Sequence, residues 1–225
     1  MKIWHISDTH GFHFDLKIPD CDMVIFSGDC SNYREPIYNE KEVRQFLKWY
    51  SSLKIKYKIF VAGNHDTSIE RGLVKRKEIE DLNIIYLENE NTIIDDINIW
   101  GSPITPEFGT GWAWNRKREK IHKVWDNIPE DTNILITHGP PKGIKDLTYK
   151  RDNILDMCGC TNLMKRVMKI QPKYHLFGHI HDCRDILNAG ITYISNLNTC
   201  FSNGTTVEDG KFDKGLINNG NLFEL

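Results

Sequence analysis

Lys58-Ile59-Phe60-Val61-Ala62-Gly63-Asn64-His65-Asp66 has the form of a buried strand that stops at a glycine and hands over to polar side chains. The run is too short for a helix and shows no polar alternation, as expected of a strand covered on both faces. Asn64, His65 and Asp66 offer an amide oxygen, an imidazole and a carboxylate at its carboxyl end. Open α/β sheets keep their chemistry there.

The same form recurs along the chain. Residues 3–6 lead to Asp8-Thr9-His10, residues 23–26 to Gly28-Asp29, residues 133–136 to Thr137-His138-Gly139, and residues 174–177 to Gly178-His179-Ile180-His181. Helical patterns lie between. Residues 40–53 place Val43, Phe46, Leu47, Tyr50 and Leu53 on one face, and Asn39 with Glu42 reads as a capping box at its start. Thr161–Ile170 places Leu163, Val167 and Ile170 on one side and stops before Pro172. Residues 84–100 carry β-branched runs separated by Asn and Asp turns. The fold expected is α/β: a four-layer α/β/β/α sandwich of two mixed sheets, built as a single domain over 1–225, with a metal site at the carboxyl ends of the strands.

Bulk properties narrow the function. The chain has 225 residues, enough to bury a sizeable core without disulfides. Lys+Arg is 29 against Asp+Glu 31, a net charge of -2, so there is no global attraction to nucleic acid or anionic membrane. No run approaches the ~20 apolar residues of a membrane span. Motif residues begin at Asp8 with no signal peptide ahead of them, so a cytoplasmic location is expected. The six cysteines are scattered, and Cys158 and Cys160 read as reduced thiols near a turn.

The five blocks together supply Asp8, His10, Asp29, Asn64, His138, His179 and His181 as candidate ligands, with His65 as an additional histidine. Mixed oxygen and imidazole donors suit Mn, Fe, Zn or Ni. Two such ions ~3.5–4 Å apart suit phosphoryl hydrolysis. Any one block is a weak signal; five in this order, each after an apolar run, are specific.

This order of blocks resembles the calcineurin-like metallophosphoesterases, without departure at a ligand position. The resemblance implies that Asp8, His10 and His181 bind a first divalent ion, with Mn²⁺ foremost. Asn64, His138 and His179 would bind a second, and Asp29 would bridge. It makes His65 a non-ligand histidine that contacts phosphate and protonates the leaving oxygen, with Asp66 orienting it. Gly101-Ser102-Pro103, Pro106-Glu107-Phe108, Trp112-Ala113-Trp114-Asn115, Gly139-Pro140-Pro141-Lys142-Gly143 and Gln171-Pro172 extend the likeness to the metallophosphoesterase-domain-containing proteins over nearly the whole chain. The activity implied is a metal-dependent phosphodiesterase acting on small nucleotides such as cyclic nucleotides.

Three other readings share the fold. A DNA/RNA nuclease wants a basic surface that the net charge does not offer. A protein Ser/Thr phosphatase carries Val-Asp-Arg-Gly after the Gly-Asp block, where this chain has Cys30-Ser31-Asn32-Tyr33. A non-enzymatic scaffold tends to lose site histidines, and all are present here.

Neighbouring residues carry expectations of their own. Trp112 and Trp114 would share a face on a strand and pack on the core, with base stacking as the alternative. Arg116-Lys117-Arg118 reads as a solvated helix start, with Arg116 as a phosphate contact in the alternative. His13 reads as a surface residue, His5 and His175 as core histidines, and Cys30 as a small buried residue.

Overall fold

The computed structural model describes residues 1–150, 153–210 and 214–225. Two mixed sheets carry the molecule. The first orders its strands Asn221–Glu224, Lys2–Ile6, Met23–Phe26, Tyr57–Phe60 and Ile85–Tyr86, the first pair antiparallel and the rest parallel. The second runs Gly190–Tyr193, Cys200–Asn203, Tyr174–Phe177, Ile134–Thr137, Ile97–Ser102 and Glu90–Ile94, parallel inside and antiparallel at both edges.

Strand alternation sorts the apolar side chains into layers. Ile3, Met23, Ile25 and Ile59 of the first sheet share one buried cluster with Ile99, Ile134, Ile136 and Leu176 of the second. Their chain neighbours Trp4, Val24, Phe26 and Phe60, and Trp100, Leu135, Phe177 and Phe201, belong to the cluster that includes the helices. The helix Pro36–Ser52 packs Phe46 against Phe26 and Phe60, with ring centroids 4.4 and 5.5 Å apart. The Tyr50 hydroxyl reaches the Val24 and Ile59 carbonyls at 3.0 and 2.7 Å, so its burial leaves no orphaned oxygen. Thr161–Ile170 and the short helix His122–Trp125 cover the second sheet through Leu163, Val167 and Trp125. The expected four-layer α/β/β/α sandwich is thus observed. The hairpin between Glu90–Ile94 and Ile97–Ser102 turns at Asp95 and Asp96, both at positive φ, as a tight two-residue turn requires.

One local expectation fails informatively. The first long helix begins at Pro36, after Glu35, so Asn39 and Glu42 lie inside it and form no capping box. The Asn39 amide instead donates to Ser31 Oγ at 2.9 Å and to the His65 carbonyl at 2.7 Å, and its oxygen accepts from the Ser68 amide at 2.8 Å. Glu42 accepts the Asn32 and Tyr33 amides at 2.7 and 2.9 Å. Both residues brace the loops that follow two of the parallel strands.

Candidate metal centre

All five sequence blocks lie just beyond the carboxyl ends of parallel strands, three from the first sheet and two from the second. Asp8, His10, Asp29 and His179 take positive φ of 53°, 43°, 59° and 69°. Left-handed backbone at non-glycine residues is strained, and four such residues among seven candidate ligands mark a functional concentration. The loops also approach closely. A Cβ on Gly63 would collide with the Asp29 carboxylate, and one on Gly178 with that of Asp8.

Backbone carbonyls aim the imidazoles. His10, His138 and His181 each place Nδ1 on a carbonyl, those of Ser31, Ser27 and Val207, at 3.0, 2.9 and 2.9 Å. That contact fixes the tautomer and leaves Nε2 as the ligand atom, the usual arrangement around a metal-binding histidine. Asp8 Oδ2 accepts from the Ser7 hydroxyl and from the His179 amide.

Two groups of ligand atoms result, each lying within 4.8 Å of one another: Asp8, His10 and His181, and Asp29, His138 and His179. Asn64 Oδ1 lies 2.8 Å from His138 Nε2, which lies 3.3 Å from Asp29 Oδ2. A third group joins Asp29 to His10 and His65, so Asp29 stands between the first two. Asp8 Oδ1 is fully buried without a hydrogen bond among the described residues, although His181 Nε2 is 3.2 Å away. A buried carboxylate oxygen left so is costly unless a cation meets it. With imidazole nitrogens on either side, the residues fit divalent transition metals.

Electrostatics agree. Burial pushes His10 and His179 down to about 3, which keeps both rings neutral and able to ligate. Against burial, the Asp29 and Asp8 carboxylates raise His138 to about 9. Asp29 stays well below the usual carboxylate range despite its burial, because His138 and His65 lie beside it.

Asp66, which the resemblance makes the residue that orients His65, directs its hydrogen bonds to the neighbouring loops. Its carboxylate accepts the amides of Asp29, Ser31 and Gly63 at 3.0, 3.2 and 2.8 Å, the Ser31 hydroxyl at 2.8 Å and the Cys30 thiol at 3.2 Å. Asp66 therefore ties the Asp29 loop to the Asn64 loop. The His65 ring instead places Nδ1 3.0 Å from the Asn32 carbonyl, while its backbone amide donates to Asp29 Oδ1 at 2.6 Å.

Among the other singled-out residues, Trp112 and Trp114 share no strand face. Trp114 is buried at φ 59°, while the Trp112 ring stands 4.7 Å from that of His65, with the Arg34 guanidinium 4.4 Å over it. Arg116 is exposed and its side chain donates to the Asn115 carbonyl, and the nearby helix starts at His122 rather than in this charge run. His13 is buried against Phe14, Phe46 and Trp49, which the sequence did not suggest. His5 and His175 are core histidines bonded to Ser202, Ser27 and Thr137, and Cys30 is buried. All six cysteines are free. Asn32, Asn39, Arg34 and Phe108 escaped notice as site residues because their roles depend on contacts distant in sequence.

Residues 1–183 match the family model described as calcineurin-like phosphoesterase. The chain belongs to that family. Metallophosphoesterase domain-containing protein 1 of Homo sapiens is 32% identical over 222 residues, covering 88% of this chain and 66% of the human protein; the Mus musculus protein gives the same values. The chain thus spans just under two thirds of those relatives. The phosphopantetheinyl hydrolase of Mycobacterium tuberculosis superposes with a TM-score of 0.59 at 14% identity, covering 95% of this chain and 92% of that one. A Staphylococcus aureus protein assigned as a 5′-nucleotidase gives 0.53 at 12% identity, with 92% and 48% covered. At such identities these two phosphoesterase-like structures show a shared fold. Among the described residues no helix is long and apolar enough to cross a membrane.

Proposed function

We propose that this member of the phosphoesterase family hydrolyses phosphodiester bonds of small nucleotides, cyclic nucleotides among them, with two divalent transition-metal ions, Mn²⁺ foremost. Asp8, His10 and His181 would hold one ion and Asn64, His138 and His179 the other, with Asp29 available to both. The observation that carries this reading is the position of Asp29, within ligand reach of both histidine groups. A bound pair of this kind supplies a nucleophile at neutral pH and offsets charge on the phosphoryl oxygens. His65 is the protein's proton donor. His65 Nδ1–H donates to the Asn32 carbonyl, so Nε2 is the atom that exchanges a proton with the leaving oxygen. The last strand, Asn221–Glu224, pairs with the first, Lys2–Ile6, which supports one domain over 1–225.

The test is a substrate panel on chelated and reloaded protein: an aryl diester, an aryl monoester, 2′,3′- and 3′,5′-cyclic nucleotides, and single-stranded DNA. Chelation should abolish diester hydrolysis, and Mn²⁺ should restore it better than Mg²⁺, since imidazole favours the softer ion. Full activity in excess chelator would remove the metal from the mechanism. Faster cleavage of DNA than of every small diester would make the protein a nuclease.

A further inference from the structure

Apolar contact holds the two sheets together, but it has no direction and so does not set where one sheet lies along the other. The candidate centre depends on that setting. Asp8, His10 and Asp29 follow strands of the first sheet, whereas His138, His179 and His181 follow strands of the second, so each ligand group is shared between the sheets. His138 spans the join by itself. Its backbone amide donates to the Ser102 carbonyl of the second sheet at 3.1 Å, while its Nδ1 lies 2.9 Å from the Ser27 carbonyl, one residue past Met23–Phe26 of the first. Where the Ser27 peptide stands therefore decides where His138 Nε2 points.

A buried histidine that the chemistry above does not use fixes that peptide. His5, on Lys2–Ile6, places Nε2 2.9 Å from Ser27 Oγ and Nδ1 2.8 Å from Ser202 Oγ, on Cys200–Asn203 of the second sheet. All three residues are fully buried. Burial pushes His5 down to about 3, against the pull of Asp8, so the ring is neutral. A neutral imidazole has one N–H and one bare nitrogen, so one serine hydroxyl accepts from it and the other donates to it. Ser202 Oγ also accepts from Asn221 Nδ2 at 2.9 Å, which anchors the far end. On one side the ring has no room to move, because a Cβ on Gly204 would stand 2.8 Å from it. Hydrogen bonds are directional, so this chain supplies the setting that the apolar layer lacks.

We propose that His5 is a positioning residue for the metal centre: it holds the Ser27 peptide against the second sheet, so that the Ser27 carbonyl keeps His138 Nε2 on the ion shared with Asp29. His5 touches neither ion nor substrate and acts through Ser27. The role rests on the two-ion reading of the site. A histidine that only filled the core would act otherwise, lowering stability when replaced without any change at His138.

Two measurements on the full chain test it. The first uses chelated protein labelled with ¹⁵N at histidine. The Nδ1–H of His138 should exchange slowly with solvent, as should those of His10 and His181, which have carbonyl partners of their own. His5→Phe fills the space without hydrogen bonds, and Ser27→Ala removes the hydroxyl but keeps the carbonyl. Both should speed exchange at His138 several-fold and leave His10 and His181 unchanged, and His5→Gln, which keeps a donor and an acceptor, should restore the slow rate. The second measurement is calorimetric titration with Mn²⁺. The binding step that His138→Ala abolishes should be about 10-fold weaker in His5→Phe and Ser27→Ala, the lower end of what the loss of a supporting partner costs a metal site. If His5→Phe does not fold, Ser27→Ala decides alone. Exchange at His138 as slow in Ser27→Ala as in wild type, or an unchanged Mn²⁺ affinity, would overturn the role and leave His5 a core residue. A single Mn²⁺ bound by wild type, with His138 exchange still sensitive to both variants, would remove the two-ion reading and keep His5 as the residue that aims His138.

Discussion

The floor of the centre and its rim are built by different means. On the floor, Asp8, His10, Asp29, Asn64, His138 and His181 are buried, and their side chains are fixed by backbone carbonyls and amides that follow the parallel strands. On the rim, Phe108, Trp112 and Arg34 are held by ring faces and a cation over a ring, on segments with little regular structure. The two meet at His65 and His179. Hydrogen bonds to buried backbone specify position within a few tenths of an ångström, as metal ligation needs. Ring contacts specify a surface and tolerate substitution, as recognition of variable organic groups needs. A floor variant should therefore change metal content and rate together, and a rim variant should change substrate preference.

The largest effect tests the floor. Asp29→Ala removes the one carboxylate that, among the described residues, lies within reach of both histidine groups. Metal bound per chain, measured by atomic emission on purified protein, should fall towards zero, and activity by more than about 10³-fold. His138→Ala should lose a single ion. If Asp29→Ala kept two ions, Asp29 would not bridge and the two histidine groups would be independent sites.

A smaller effect separates two adjacent residues that the sequence had grouped as a pair. His65→Ala should keep both ions and lose about 10²–10⁴-fold in kcat on a nucleotide diester, with a smaller loss on an activated aryl diester that departs without a proton. Asp66→Asn should do the opposite. Asp66 is an acceptor for five donors on two ligand loops, and an amide in its place would set N–H against N–H. Metal affinity should drop about 10–100-fold, with the ratio of the two substrates' rates unchanged. Loss of an ion in His65→Ala would make it a ligand, as its closeness to His10 and Asp29 allows. Normal metal affinity in Asp66→Asn would remove its bracing role.

That pair also shows where the sequence is readable. Each candidate ligand stands one to four residues beyond an apolar strand, so local pattern found it. The resemblance assigned Asp66 to orient His65, whereas the hydrogen bonds of its carboxylate run to Asp29, Cys30, Ser31 and Gly63, contacts that no local pattern announces. Asn39 misled in a similar way: its spacing to Glu42 fits a cap, yet Pro36 starts the helix earlier and frees both side chains for the loops. Phe108 gave no local signal at all. Its neighbours His179 and Trp112 come from different segments, so only the fold brings the three rings together. Layers and strand order followed from apolar periodicity, whereas hydrogen-bond partners across loops did not.

The smallest effect lies beneath the floor, in the strand interiors. Burial pushes His175 down to about 3, with His5 nearby adding to the shift, and its Nε2 meets Thr137 Oγ1 at 2.9 Å. The ring is therefore neutral in the folded protein at any pH above that value. Unfolded, it titrates near 6.5. Between pH 6.5 and 3 the unfolded chain takes up a proton that the folded chain does not, so acidification favours unfolding. At pH 5.0 the gap from 6.5 is 1.5 pH units, which corresponds to about 2 kcal/mol lost from this one residue. His10 and His179 add losses of the same sign when metal is absent, so the test is a difference between proteins rather than a single curve. Urea unfolding of wild type and His175→Gln at pH 7.5 and 5.0, with chelator throughout, isolates the residue. The glutamine keeps a group able to meet Thr137 but does not titrate. The variant's stability should fall less between the two pH values, by about 2 kcal/mol, even if it starts lower at pH 7.5. An equal fall in both proteins would mean that His175 is protonated in the fold. The strand interior would then share the charged character of the floor above it, and the division between a neutral scaffold and a charged centre would have to be redrawn.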